Sequence, residues 1–545
     1  MASKLPWFIL ITFVITKLLW NGFGEPLAEV HYDSAAHLYA AKRFSDTALI
    51  QHYSQHASAI AAEVDGHWPR EENFSGAYWR FSRLGHIILL GTIVNIFGAG
   101  EEAIRAAHWL YNILMALTTI FTVTLVFMLV TYLNSSCSRQ VVLWSAVGSA
   151  VLYMMSPIYD YMGRCLISEV PAMLALTVAN LLLILGLKRH SIVLSCLSGV
   201  FAFLTYSIRL ESIWLYISFC TILVTSMWIT RKRTQWYSAY AFSGSTAFGC
   251  YILYAWYFYP LADPYLFILF AKHQPHEALG VVVPLYSIVR VGGLLWIGVC
   301  ASVIASSRWT AARMAFVWAG IALIPSLPYL YYSVKYSTSL ATRMLAIVLA
   351  LPLFLSSTLG WSYLWQQRNR YIRYVFFASV LLSTALAIAA IWPGIEKVKY
   401  IRAFLTLPRY EQVTFRAAEM NRISQVLYSR NNPVFLVFDS DVMSDSLYLV
   451  RFFGPAYPAQ ADLAMMTDLA PGAGVPCTEK VPAPRSLEPV SFCVRMTRDK
   501  LQELTEQGIT IFSLTSSSSR NPVIIPFSYT EILHTQHYRL GIIAP

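Results

Sequence analysis

The chain is short of charge. Only 13% of its 545 residues are Asp, Glu, Lys or Arg, about half of the roughly 25% that a soluble domain carries. That shortage excludes a string of soluble domains, and a hydrophobic content of 57% excludes disorder. Acids are the scarcer sign, 29 against 40 bases. There is no CxxC pair, no Cys/His metal spacing, no glycine-rich phosphate loop, no GxSxG and no HExxH. P-loop nucleotidases, α/β-hydrolases and zinc proteases are thereby set aside. The net charge of +11 would suggest nucleic acid in a soluble protein. In so apolar a chain it follows instead from the habit of membrane proteins of collecting Lys and Arg in cytoplasmic loops.

What the chain has in quantity is long apolar runs. Helices crossing a bilayer need about 20 apolar residues, and the pattern predicts about eleven: 5–21, 104–132, 141–159, 170–187, 191–208, 211–229, 238–258, 283–305, 312–332, 344–365 and 374–393. The fold class expected is therefore a polytopic α-helical membrane protein. Every second connection is basic: Arg139, Lys188 with Arg189, Arg231-Lys232-Arg233, Arg308 with Arg313, and Arg368, Arg370 and Arg373. Short basic loops stay in the cytoplasm, which puts the N-terminus inside and residues 22–103 and 394–545 outside. Leu5 to Trp20 lacks a small-residue cleavage site and reads as a retained first helix. Leu84 to Phe97 is apolar but only about 14 residues long, which suits an interfacial helix.

Two domains are expected, a membrane domain over 1–393 and an exterior α/β domain over 394–545. In the second, Pro408 to Leu427 and Arg498 to Gln507 read as helices; Val434 to Phe438, Ser491 to Met496 and Ile509 to Leu514 read as strands. Six of the eight cysteines lie singly in or beside apolar runs, as small buried residues do. Cys477 and Cys493 lie in the polar part, where an exterior location permits a disulfide.

Ionisable groups near membrane depth are costly and mark candidate sites. Asp33, in EVHYDSAAHLY just past helix one, is either a general base for an incoming hydroxyl or amine or a solvated acid on a polar loop. His37 follows it by one helical turn, a candidate substrate-binding residue. The turn SPIYDYMGRCLISEVPA carries Asp160, Arg164 and Glu169. Glu169 is either a helix-start acid favoured by the dipole or a second site acid that positions substrate or holds a divalent cation. No other cofactor is expected. Arg209, Arg290, Lys335 and Arg343 read either as snorkelling cations or as a pocket for a phosphate head group.

The ordered combination resembles the GT-C glycosyltransferases, in the branch of the protein O-mannosyltransferases and the bacterial aminoarabinose transferase acting on lipid A. The stretches that carry the resemblance are YDSAAHLYA, LGHIILLGTIVNIFGAGEEAIRAAHWLYNIL, SPIYDYMGRCLISEVPAMLALTVANLLLILGL and, more weakly, YSTSLATRMLAIVLALP. They cover the first 190 residues or so; beyond them only the architecture corresponds. The resemblance implies a polyprenyl-phosphate-linked sugar donor, and a glycan, lipid or protein acceptor on the exterior face of the inner cell membrane (the lumen in a eukaryote). It implies Asp33 as base, Glu169 as the second-loop acid, Arg164 as that turn's arginine and Arg343 as a phosphate ligand. Ser34 stands where the family often has a second acid, and Ser82-Arg83-Leu84-Gly85 where it often has His/Lys-Pro-Pro. The rival readings are a polyprenyl-lipid or glycan flippase, which would carry repeats and midplane charges, and a lipid-binding relative without activity. Neither internal repeats nor midplane charges stand out.

Overall fold

The computed structural model describes residues 4–24, 26–28, 83–133, 137–209, 237–258, 295–306, 338–366, 413–414, 416–429, 434–438, 461–465, 505–517 and 528–544, with 37–38, 41–42, 212, 215–217, 219–220, 223, 374, 449, 452–453 and 502. These residues fall into two compact units. One comprises 1–25, 108–257 and 265–412; the other comprises 26–107, 258–264 and 413–545.

The first unit is helical. It contains α1 (Leu5–Phe23), most of α3 (Glu101–Leu133), α4 (Arg139–Met154), α5 (Pro157–Arg164), α6 (Glu169–Arg189), α7 (Ile192–Ile208), α8 (Tyr237–Phe258), α9 (Leu295–Ser306) and α10 (Thr338–Gln366). The short α2 (Leu84–Phe97) precedes α3. Among the described residues α1, α3 and α6 are long and apolar enough to cross a membrane, and α4 with α5 would make a fourth span with a bend of 70°. The protein is an integral membrane protein. On α1 the side chains Phe8, Ile11, Ile15, Leu19 and Phe23 are exposed and apolar, as a lipid-facing stripe must be.

Most helix bounds match the hydropathy reading within a few residues, and α2 coincides with the short helix expected there. The run 141–159 is the correction: it is not one continuous helix. The helix stops at Met154 and restarts at Pro157, because Ser156 before a proline is pushed to extended backbone (φ −77°, ψ 141°). The expected span 312–332, that at 374–393 apart from Tyr374, and most of 211–229 and 283–305 lie outside the described residues.

α6 and α7 form a tight antiparallel hairpin. His190 ends α6 in the left-handed conformation (φ 53°), a position where His is among the tolerated residues. Ser191 then caps α7, its hydroxyl accepting from the Leu194 amide. The 21 residues of α6 span about 32 Å, so Glu169 at its start lies a full helix length from the Lys188-Arg189 pair at its end. Arg209, which ends α7, returns to the Glu169 end of the hairpin.

α10 packs along α9 and α4. Ser149 and Ser357 share a hydrogen bond of 3.0 Å between α4 and α10, and a Cβ on Gly298 of α9 would run into Ser357. Gly298→Ala is therefore expected to lower the unfolding midpoint of the detergent-solubilised protein, by an overpacking cost of about 1–3 kcal/mol. Gly244→Ala in α8, where a Cβ meets nothing within 4 Å, is expected to raise it slightly through helix propensity.

The second unit joins part of the first long loop to the C-terminal residues. β1 (Leu27–Ala28) pairs antiparallel with β2 (Val413–Thr414), and Lys42 Nζ donates to the Phe452 carbonyl at 3.0 Å. α11 spans Ala417–Leu427 and buries Ala417, Met420, Ile423, Ser424 and Leu427, one stripe at helical spacing. The helix expected from Pro408 thus begins late: Val413 and Thr414 are taken by the strand. A five-stranded sheet follows, in the order β4-β3-β5-β7-β6, from β3 (Val434–Phe438), β4 (Ala461–Met465), β5 (Thr510–Ser516), β6 (Ser528–His534) and β7 (Tyr538–Ala544). β3 runs parallel to β4 and β5, and its run VFLVF is apolar throughout, as a parallel strand covered on both faces requires. β6 and β7 close one side as an antiparallel hairpin. The apolar pattern reveals β3 and β5 in the sequence; β4, β6 and β7 are not foreseen from it. The strand expected at 491–496, and Cys477 and Cys493, lie outside the described residues, as does most of the helix expected at 498–507.

Candidate functional site

The helical hairpin brings two predicted site residues together that lie 40 positions apart. Glu169, in the first turn of α6, and Arg209, at the end of α7, form an ion pair of 2.8 Å between Oε1 and Nη1, with both side chains buried. Arg209 Nη1 also donates to Ser168 Oγ at 3.2 Å, and the Ser168 hydroxyl donates to Glu169 Oε2 at 3.4 Å. The helix dipole helps Glu169, but a dipole alone would not hold a carboxylate in full burial. A lone buried charge costs several kcal/mol, and the partner guanidinium offsets it. Tyr111 of α3, also fully buried, lies within electrostatic reach of Glu169. The triangle Ser168–Glu169–Arg209 is a rigid, oriented dipole built from one turn and one helix end.

Asp160 pairs with Lys17 of α1, whose ammonium reaches both carboxylate oxygens, at 2.8 and 3.0 Å. Arg164 lies against the end of α1: a Cβ on Gly24 would come within 3.4 Å of its Nε and Cζ. The sequence presents Asp160, Arg164 and Glu169 as one cluster, whereas Asp160 and Glu169 form ion pairs with different partners, Lys17 of α1 and Arg209 at the end of α7. Lys17 was the available signal, a cation inside an otherwise apolar run.

His37 is buried in the second unit. Arg83 Nη1 donates to its Nε2 at 3.2 Å, so its Nδ1 carries the proton and donates to His86 Nε2 at 3.1 Å. Both ring nitrogens thus serve to tie residue 37 to the start of α2. Arg343 sits in the first turns of α10. Asp33, Arg290 and Lys335 lie outside the described residues.

No three His, Cys, Asp or Glu side chains converge among the described residues. The acid suggested as a cation ligand, Glu169, is already met by a fixed cation. Deeper in the helical unit a cavity of about 20 Å³, lined by Thr118, Thr119, Tyr153, Thr177 and Phe354 among others, has room for a water or two and is too small for a sugar.

A carboxylate–imidazole contact locks α11 to the β6–β7 turn. Glu419 accepts from the His537 ring at 2.6 Å and from the His537 amide at 3.2 Å. Burial pushes the Glu419 carboxyl up, but hydrogen bonds from Thr535 and His537, with the His537 charge, hold it below its ordinary value of 4.5. A carboxyl with a lowered folded-state value stabilises fully above its unfolded value, and the contribution is lost as pH falls through the folded one. Amide exchange of residues 534–538, corrected for the intrinsic rate, is therefore expected to accelerate as pH drops below 4.5 in the wild type. In Glu419→Gln it is expected to be fast already at neutral pH, with no such step.

Comparison with solved structures gives the fold a relative. The crystal structure of ArnT from Cupriavidus metallidurans bound to undecaprenyl phosphate superposes with a TM-score of 0.52 at 13% identity, covering 99% of this chain and 98% of that one. The apo state of the same protein gives 0.52 at 12% identity, again over 99% and 98%. No family model matches the chain, and no curated protein matches it. The correspondence runs from end to end, through the membrane helices and the C-terminal sheet. The chain has the ArnT-like GT-C membrane fold that its sequence resemblance implied.

Proposed function

We propose that the protein is a membrane glycosyltransferase that moves a sugar from a polyprenyl-phosphate-linked donor to an acceptor on the exterior face of the membrane. One observation carries this reading: the full-length fold likeness to a protein crystallised with undecaprenyl phosphate. Fold alone does not assign chemistry, so the roles come from the residues. In the proposed reaction the acceptor oxygen or nitrogen attacks the anomeric carbon while Asp33 takes its proton. The bond from that carbon to the phosphate oxygen breaks, and the polyprenyl phosphate leaves with the electron pair and inversion at carbon. Arg343 and Arg164 are the proposed phosphate cations, with Arg290 and Lys335 as further candidates. Arg209 is fixed by Glu169 and Ser168 and contributes as an oriented charge that does not have to reorganise as the phosphate departs. The basic connections between helices support a cytoplasmic N-terminus, with both the first loop and the sheet domain outside.

The test is donor turnover. The full-length protein is reconstituted in liposomes and offered undecaprenyl-phosphate- and dolichyl-phosphate-linked sugars, with a candidate glycan, lipid or peptide acceptor. Acceptor-dependent release of polyprenyl phosphate is the expected result. Movement of intact donor across the bilayer without cleavage would favour a flippase and overturn the assignment; tight binding without either would mark a non-catalytic relative.

A further inference from the structure

We infer that Lys17 is a positioning residue for the reaction proposed above: acting through Asp160, it fixes the short helix α5 and with it the turn that carries Glu169. The inference rests on that functional reading, and its geometric half stands apart from it. α5 has eight residues, too few to hold a helix without tertiary support. It leaves α4 at 70°, so continuity with α4 does not set its direction. What fixes it is the joint with α1 and α3. Lys17 grips both oxygens of Asp160 in the first turn of α5. One turn on, Arg164 lies over Gly24 at the end of α1.

The joint is close-packed. A Cβ on Gly163 of α5 would come within 2.9 Å of Asn112 Oδ1 and 3.3 Å of Asn21 Nδ2, and a Cβ on Gly22 of α1 would overlap the Trp109 ring. Asn21 and Asn112 are buried. From Arg164 the chain has only Cys165 to Ser168 before it reaches Glu169, and every residue of that turn is buried. A shift of α5 is therefore passed to Glu169 with little slack to absorb it. The ion pair of Glu169 with Arg209 is held at hydrogen-bond length, and displacements of about 1 Å at such a site are enough to cost a large factor in rate. Lys17 touches neither Glu169 nor Arg209 among the contacts of the structure; its effect runs through α5.

The experiment uses the full-length protein in liposomes with a polyprenyl-phosphate-linked sugar, and reads kcat and donor KM beside hydrogen exchange over residues 157–169. Lys17→Met is expected to lower kcat by about 100-fold, with donor KM unchanged, and to speed exchange across 157–169. Asp160→Asn, which keeps the shape and one hydrogen bond from Lys17, is expected to show the same split more weakly. The reversed pair Lys17→Asp with Asp160→Lys is expected to recover most of both readouts, and Lys17→Arg to retain both. Wild-type kcat in Lys17→Met would overturn the inference. So would a rise in KM at constant kcat, which would make Lys17 a donor ligand, or a reversed pair no better than either single variant. If the wild type turns over no polyprenyl-linked sugar, the functional proposal fails by itself. Exchange over 157–169 then still decides the geometric half, and unchanged exchange in Lys17→Met overturns it.

Discussion

Arg209→Met is expected to be among the most damaging single substitutions in the protein. It removes one member of a buried ion pair and leaves the Glu169 carboxylate without its cation, at a site where both side chains are fully enclosed. Breaking a buried pair in this way costs about 3–5 kcal/mol, a large share of the roughly 5–15 kcal/mol that holds a domain folded. The loss should appear as a lower unfolding midpoint and as faster hydrogen exchange at the Ser168–Val170 end of α6. Glu169→Gln removes the charge but keeps a hydrogen-bond acceptor for Arg209, so its cost should be smaller though of the same sign.

The informative variant is the double one. Glu169→Leu with Arg209→Met replaces two charges by apolar groups, and such replacements are often neutral or stabilising. Its unfolding midpoint should return towards the wild type. Donor turnover should not return, because under the proposed mechanism the oriented guanidinium is part of what steadies the departing phosphate. A double variant that is stable and turns over donor at the wild-type rate would reduce the pair to a packing device. Stability and turnover that fall and recover together would have the same meaning.

Much of this arrangement was legible in the sequence, and the exceptions share a cause. Apolar runs place helices well because a helix in lipid must satisfy its own backbone, whatever its neighbours do; α1, α2, α6 and α7 follow the hydropathy within a few residues. The break at Ser156-Pro157 was written in the chain too, but the apolar count ran straight over it. Partnership is different. Glu169, Arg164 and Asp160 are near neighbours in sequence, and each finds its partner or packing surface elsewhere, on α7 or α1. No local pattern reports that, since the hairpin and the α1 joint are set by packing. The sequence places His37 one turn from Asp33 as a candidate substrate-binding residue, but it does not report that Arg83 and His86 meet its two nitrogens. In the second unit, the parallel strand β3 was clear from its continuous apolar run. β6 and β7 were not, because a hairpin at the side of a sheet alternates weakly: Tyr529 and Ile532 of β6 are exposed.

Asp33→Asn is expected to give the largest loss of activity. Asparagine matches aspartate in size and keeps an acceptor oxygen, so the fold and donor binding should survive. What it cannot do is take up the proton that the acceptor must lose as it attacks, and removal of a general base costs about 100- to 10,000-fold in rate. The chain position is suited to the role. Asp33 follows the end of α1 by only ten residues of sequence. The measurement is acceptor-dependent release of polyprenyl phosphate by the variant in liposomes, beside its equilibrium binding of the donor. The expected outcome is a kcat reduced within that range, donor binding within the error of the wild type, and loss of the acidic limb that a titrating carboxylate gives the wild-type pH–rate profile. A folded Asp33→Asn protein with undiminished turnover would remove Asp33 from the chemistry. If the variant instead loses donor binding with little change in kcat, Asp33 serves the donor and the base must be sought elsewhere.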